Sequence, residues 1–481
     1  MEILFTIIFI ICALFAVGQN VKKDTVIKEK RPVKTSLLSN YYEQDGQRSA
    51  VNGGVGSQEL YSFSQEASIY VPVKDSSAYK LHAGVDHYSA ASLTQIDKYV
   101  SAASSAKSNI SKTETRVYGN LSYDFANKAK HSVFSPTAGF SSEYDVLSFN
   151  GGFSYSKNFV AKNLTYNSSL NVIADRWMMI FPGEFRPQEK KEETVKSTST
   201  TTITPDTETG ASRPVNTADD DDDDDDDHHT TTPTTPVAAD TTRYPKPYAT
   251  PFVYSGKLAS KNGKEFPIDW RYSYAFSNSL GFVINKKMNA SVGLDLVLQR
   301  GMLSTPFHRV YFNDGVADEY QKEVRIEKLP ELRFKVALYG RYNFFLSPYF
   351  IIRTQARIYA DNWDVKALTL TIETPVKITK WLSIAPYYRF HTQTGSRYFK
   401  GYGRHVATDD YYTSDFDLAT LSANKFGGSL RFAPLKPFGI SNENNTKKIL
   451  AVKAISLLYS NYKRSDGLMA GMGSVLVEFE F

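Results

Sequence analysis

From about residue 36 to the end of the chain, apolar side chains recur at every second position in segment after segment. The last stretch, GMGSVLVEFEF (471–481), shows it well. Val475, Val477, Phe479 and Phe481 fall on one face, and Ser474, Leu476, Glu478 and Glu480 on the other. A period of two belongs to β-strands. An apolar face running to a terminal aromatic suits a strand that closes a barrel in lipid, where every backbone N–H and C=O must be paired and an open sheet edge is not tolerated. The terminus resembles the assembly signal of bacterial outer-membrane barrels, so Phe481 is expected to engage barrel-assembly machinery and the wall to face outer-membrane lipid.

About sixteen such segments can be read, near 36–43, 59–72, 78–90, 113–126, 132–144, 146–159, 164–175, 267–281, 288–300, 330–343, 347–362, 366–376, 381–393, 421–433, 449–462 and 469–481. Fourteen strands is the alternative. Leu332, Phe334, Val336 and Leu338 alternate with Arg333, Lys335 and Ala337. Segment 449–462 is apolar on both faces. The connections alternate too. Those after even-numbered strands are mostly short, and the long ones, 44–58, 91–112, 176–266, 301–329 and 394–420, follow odd-numbered strands. This predicts an all-β, transmembrane antiparallel barrel with short periplasmic turns and long external loops. The aromatic content of 14%, mostly Tyr and Phe, agrees with such a wall.

The run Ile3 to Val17 is too short for a comfortable transmembrane helix, and Ala16-Val17-Gly18 is a small-x-small site. The expected organisation is a signal peptide at 1–18, a periplasmic segment at 19–35 and a barrel at 36–481. An uncleaved anchor is the alternative, because the first residues carry Glu2 and no Lys or Arg. Cys12 is the sole cysteine, so the mature chain is expected to lack thiol chemistry. The net charge of +5 gives no nucleic-acid signal. Residues 188–248 are rich in Thr, Pro and Asp, with aspartates from Asp219 to Asp227, and cannot bury enough apolar surface to fold. They are expected to form a disordered loop insert, either a solvated tract or a loose cation trap.

Several longer stretches go beyond pattern: YYEQDGQRSAVNGGVGSQEL (41–60), GVDHYSAAS (84–92), LSTPFHRVYFNDG (303–315), LPELR (329–333) and YYTSDFDLATLSANKFGGSLRF (411–432). They resemble the bacterial outer-membrane family known as domain of unknown function 3570. The resemblance implies a β-barrel, no established activity and no catalytic residues. It also implies a cell-envelope redox setting, through neighbouring genes for a flavin transferase and a thioredoxin-like protein, and hence a periplasmic redox partner or lipoprotein.

No nucleophile-and-base motif is present, so no catalytic, cofactor-binding or metal residue is assigned. The clearest constellation is electrostatic. Arg333, Lys335, Arg341, Arg353, Arg357 and Arg389 lie opposite the apolar stripes of nearby strands, and Glu373, Asp295, Asp361, Glu478 and Glu480 are expected beside them. They form either a basic lumen wall or internal ion pairs of a filled barrel. Asp409, Asp410, Asp415 and Asp417 could bind Ca²⁺, though without diagnostic spacing. Gly340, Gly427 and Gly428 mark bends or close packing. The sequence favours a structural or docking component of an envelope assembly. A channel for small anionic solutes is the alternative, and an outer-membrane enzyme the third reading.

Overall fold

The computed structural model describes residues 31–73, 77–89, 113–182, 185, 258–261, 264–313, 315, 323–436, 438–441 and 448–481. The proposed signal peptide at 1–18 and the insert at 188–248 lie outside the described residues. Sixteen strands form one closed antiparallel barrel. In chain order they are β1 Lys34–Asp45, β2 Leu60–Pro72, β3 Ala78–Ser89, β4 Thr113–Asn127, β5 Ser132–Ser142, β6 Val146–Phe159, β7 Leu164–Met178 and β8 Lys264–Asn285. They continue as β9 Met288–Gly301, β10 Leu332–Phe345, β11 Ile351–Asp361, β12 Lys366–Glu373, β13 Leu382–Gln393, β14 Leu421–Phe432, β15 Lys448–Arg464 and β16 Met469–Glu480. Each strand pairs with its neighbour in sequence, and β1 pairs with β16 over the register Lys34↔Glu480 to Asp45↔Met469. The N–H of Phe481 donates to the Val33 carbonyl at 2.9 Å, so the seam is bonded to its end. With no edge left, the backbone satisfies itself inside a bilayer.

The count is sixteen, not fourteen, and the strand limits follow local chemistry. The twelfth strand stops at Glu373, before the segment read from sequence ends, because Pro375 has no N–H for the ladder. β11 begins only at Ile351, after a turn at 346–350. In β15, apolar on both faces, the register slips between Val452 and Ala454.

The outer face carries the apolar stripes. Val292, Leu338, Ile358, Leu370, Phe426 and Leu457 are large and exposed, and Leu338 stands directly opposite Ile358 in the register of β10 and β11. Rings gather at both rims. Tyr79, Tyr123, Phe125, Phe134 and Phe153 form a continuous row over β3 to β6, and Trp270 stacks on Tyr272 near the other end. Such rims suit the membrane interfaces. Polar groups on this face find partners within the wall: the Tyr388 hydroxyl donates to Asn424 at 2.6 Å, and that of Tyr166 to Asn278 at 2.8 Å.

Candidate functional site

Side chains opposite the stripes converge on the concave face. Arg357 reaches Asp295 across β10, Arg431 reaches Glu478 across β15, and Asn150 reaches Asn120 across β5. Most carboxylates of this inner wall hold a cation: Asp124 holds Lys80, Asp175 holds Arg271, Glu373 holds Arg353 and Glu480 holds Lys453. The pairs differ in wetness. The Arg353–Glu373 and Arg357–Asp295 pairs are long, at 3.3 and 3.4 Å, with arginines nearly half exposed. A wall of sixteen strands is too wide for its own side chains to fill, so this exposure is to a wet lumen.

Arg333 and Asp361 behave otherwise. The Asp361 carboxylate is fully covered, and it accepts from Arg333 Nε at 2.9 Å, the Tyr359 hydroxyl at 2.8 Å, and the Trp363 and Val365 N–H groups. The Arg333 guanidinium also lies 4.2 Å from the ring centre of the buried Trp363. This pair fastens the hairpin turn after β11. Lys335 stands opposite Asp361 in the register, with no ion pair among the described residues. Arg341 lies 5.5 Å from the centre of the Tyr339 ring, and Arg389 donates to the Thr371 hydroxyl at 3.1 Å. Of the three glycines singled out from sequence, Gly427 is a point of close packing: a Cβ there would strike the Tyr459 carbonyl.

The described parts of the long connections at 46–59, 302–331 and 394–420 fold together at the end of the barrel away from the termini. Arg309 donates to the Val51 carbonyl at 2.8 Å, and the Ser414 hydroxyl to the Arg309 carbonyl at 2.7 Å. The first connection follows β1 and the second follows β9. These strands are half the circumference apart, so the contact crosses the barrel mouth. The result is a cap. Gly53 and Gly54 adopt φ of +79° and +89°, pressing the first connection onto Tyr311 and onto Phe416 with Ser414. Val310, Phe312 and Tyr412 form a small buried core, with the Arg325 guanidinium 4.2 Å from the centre of the Phe312 ring. Three of the stretches carrying the sequence resemblance, far apart in the chain, meet in this cap.

Much of its polar interior is bonded. The buried Glu327 carboxylate accepts from the Thr305 N–H at 2.6 Å and the Thr413 hydroxyl at 2.5 Å, and faces His308 Nδ1 at 3.4 Å. Burial lowers the His308 pKa, but Glu327 outweighs it and the group ends above its ordinary value. His405 is buried between Asp409, 2.9 Å from Nδ1, and the Thr413 carbonyl, 3.1 Å from Nε2. Burial pushes Asp409 up, yet Lys400 and His405 hold it down at about 2. Burial and the nearby Asp417 raise Asp415. The cap is tied to the wall by Arg464, which donates to Asp417, Asp466 and the Phe416 carbonyl.

The structure does not bring the cap aspartates together as a Ca²⁺ site. Asp409 turns to Lys400 and His405, Asp417 to Arg464, and Asp415 accepts from the Asp417 N–H. Among the described residues the one acidic trio close enough for a metal is Glu114, Glu143 and Asp145, and Arg116 sits 3.3 Å from Glu143. Sequence reading missed Glu327, His308, His405 and Thr413, whose partners come from distant connections. It also missed Lys425, which faces Arg389 across the β13–β14 pair.

A closed barrel with an apolar outer belt, aromatic rims and a charged inner wall defines an outer-membrane β-barrel. The chain belongs to the family described as "Protein of unknown function (DUF3570)", whose match covers residues 11–433. No curated protein matches it. Among solved structures it is similar to the siderophore receptor PirA from Pseudomonas aeruginosa, at 8% identity and a TM-score of 0.37, covering 92% of this chain and 57% of that one. OpdK from Pseudomonas aeruginosa, solved with vanillate, matches at 7% identity and a TM-score of 0.31, covering 93% of this chain and 98% of that one. A bacterial polysaccharide outer membrane secretin matches at 8% identity and a TM-score of 0.38, covering 94% of this chain and 100% of that one. The chain thus spans little more than half the length of the siderophore receptor.

Proposed function

We propose that the barrel is a channel for small anionic solutes, narrowed at one mouth by the cap. The observation that carries this reading is the charge balance of the inner wall. Its carboxylates are largely engaged, while Arg341, Arg389 and Lys425 have no carboxylate partner among the described residues. A low-dielectric wall with surplus cations concentrates anions in the lumen. Planar bilayers test it: purified protein should conduct steadily with an anion preference, and Glu327→Gln, which loosens the cap, should raise the conductance. Absence of conductance from both proteins would overturn the proposal.

The cap favours a second reading, a structural or docking component of an envelope assembly. A bonded, buried network across the mouth holds a fixed outer surface, on which Val406 and Tyr411 are exposed. A periplasmic redox partner or lipoprotein fits this reading, with no chemistry assigned to the barrel itself. Crosslinking in cells that captures one defined partner, from a protein silent in bilayers, would favour it.

A further inference from the structure

Arg389 and Lys425 are directly opposite each other on β13 and β14, and both point to the lumen. Like charges facing each other across an antiparallel pair are unfavourable. Most cations of this wall meet a carboxylate, but here the bonded neighbours are neutral. Arg389 has the Thr371 hydroxyl at 3.1 Å, and Lys425 Nζ has the Met472 sulfur at 3.0 Å. A thioether is a weak acceptor for an ammonium group. The two cations line a cavity of about 310 Å³ just beneath the cap, together with Tyr42, Thr369, His391 and Tyr462. Asp417 of the cap is already held by Arg464.

We propose that this niche binds a small oxyanion, a phosphate or a carboxylate group, between Arg389 and Lys425. The proposal rests on the anionic-solute reading for what the group is: a solute held in transit. A guanidinium offers a planar fork to two oxygens and an ammonium offers a point charge, so together they bracket one tetrahedral or planar anion. The anion relieves the repulsion that the empty pair carries. The Tyr42 and Tyr462 rings line the rest of the niche.

The test uses the full chain folded in detergent, so it needs no conductance. Inorganic phosphate is titrated by phosphorus NMR, with succinate as competitor. Wild type should show saturable broadening, and Arg389→Gln or Lys425→Gln should weaken it about ten- to a hundredfold. Arg353→Gln, which removes an already paired cation, should leave it within about twofold. Displacement by succinate below the phosphate concentration assigns a carboxylate, and its failure assigns phosphate. Slower migration on heating should persist in every variant, certifying the fold, and Arg389→Lys should retain part of the binding. Without anion, Lys425→Gln should leave the urea midpoint unchanged or raise it, since it removes a like charge. A lysine with a merely structural role would lower it. No saturable binding by wild type, or binding as tight as wild type by both Arg389→Gln and Lys425→Gln, overturns the site. Saturable binding by a protein that never conducts would keep the site and remove the channel.

Discussion

Asp361 and Glu373 sit on adjoining strands, face the same lumen and each hold one arginine, yet they are different objects. Asp361 is fully covered and accepts from two side chains and two backbone N–H groups. Glu373 is one third exposed and holds Arg353 at 3.3 Å. What separates them is height along the barrel. Asp361 lies at the rim, where a turn and the cap exclude water. Glu373 lies further down, where the lumen is wide. An arginine and a carboxylate thus make a framework at the mouth and a solvated wall below it.

The widest test of that contrast is Asp361→Asn. Removing one member of a covered ion pair strands the other charge and should cost about 3–5 kcal/mol. Urea unfolding of the refolded barrel measures it, and a loss as small as that for a surface pair would erase the distinction between rim and wall. A cap substitution comes next. Glu327→Gln should cost about 1–3 kcal/mol, because one of its two buried donors loses its acceptor. Protease nicking of the three connections reads this without requiring the wall to unfold.

The cap should also depend on pH where the open wall does not. His308 is raised, so its contribution is fully present below the ordinary histidine range and is lost as pH rises through the raised value. Asp409 is lowered to about 2, so its contribution is present above the ordinary carboxylate range and is lost as pH falls through about 2. Hydrogen exchange of cap amides should therefore be slowest between these limits, and a flat profile would deny both pairings. The smallest effect is expected from Arg353→Gln and Arg357→Gln. Each should change stability by only about 0–1 kcal/mol, because solvated pairs contribute little. In bilayers the pair of substitutions should shift selectivity toward cations.

The wall was legible in the sequence because period two is a local signal. Leu338 and Arg341 declare their faces without knowledge of any other strand. The inward set Arg333, Lys335, Arg353, Arg357 and Arg389 follows from the same alternation. Alternation cannot say which arginine meets which acid, or at what height. That is why Arg333 and Arg353 looked equivalent. Lys425 carried no signal of its own, since its meaning comes from Arg389 opposite it, and strand register is not written in either segment. The particular contacts of the cap were hidden for a deeper reason. Arg309 and Val51 are 258 residues apart, and no periodicity connects them.

That separation also fixes an order of events in time. Nearly every strand pair in the wall joins neighbours in the chain and can zip progressively, whereas the Arg309–Val51 bond must wait until the two halves of the cylinder stand face to face. Closing so long a chain segment in advance would be entropically costly and slow. The bond across the mouth is therefore expected late, once β1 and β9 stand on opposite sides of the cylinder. A chain stalled with an open seam would present the three connections loose, and quality-control proteases cut loose segments first. The cap then acts as a completion mark, distinguishing a finished cylinder from one still being assembled.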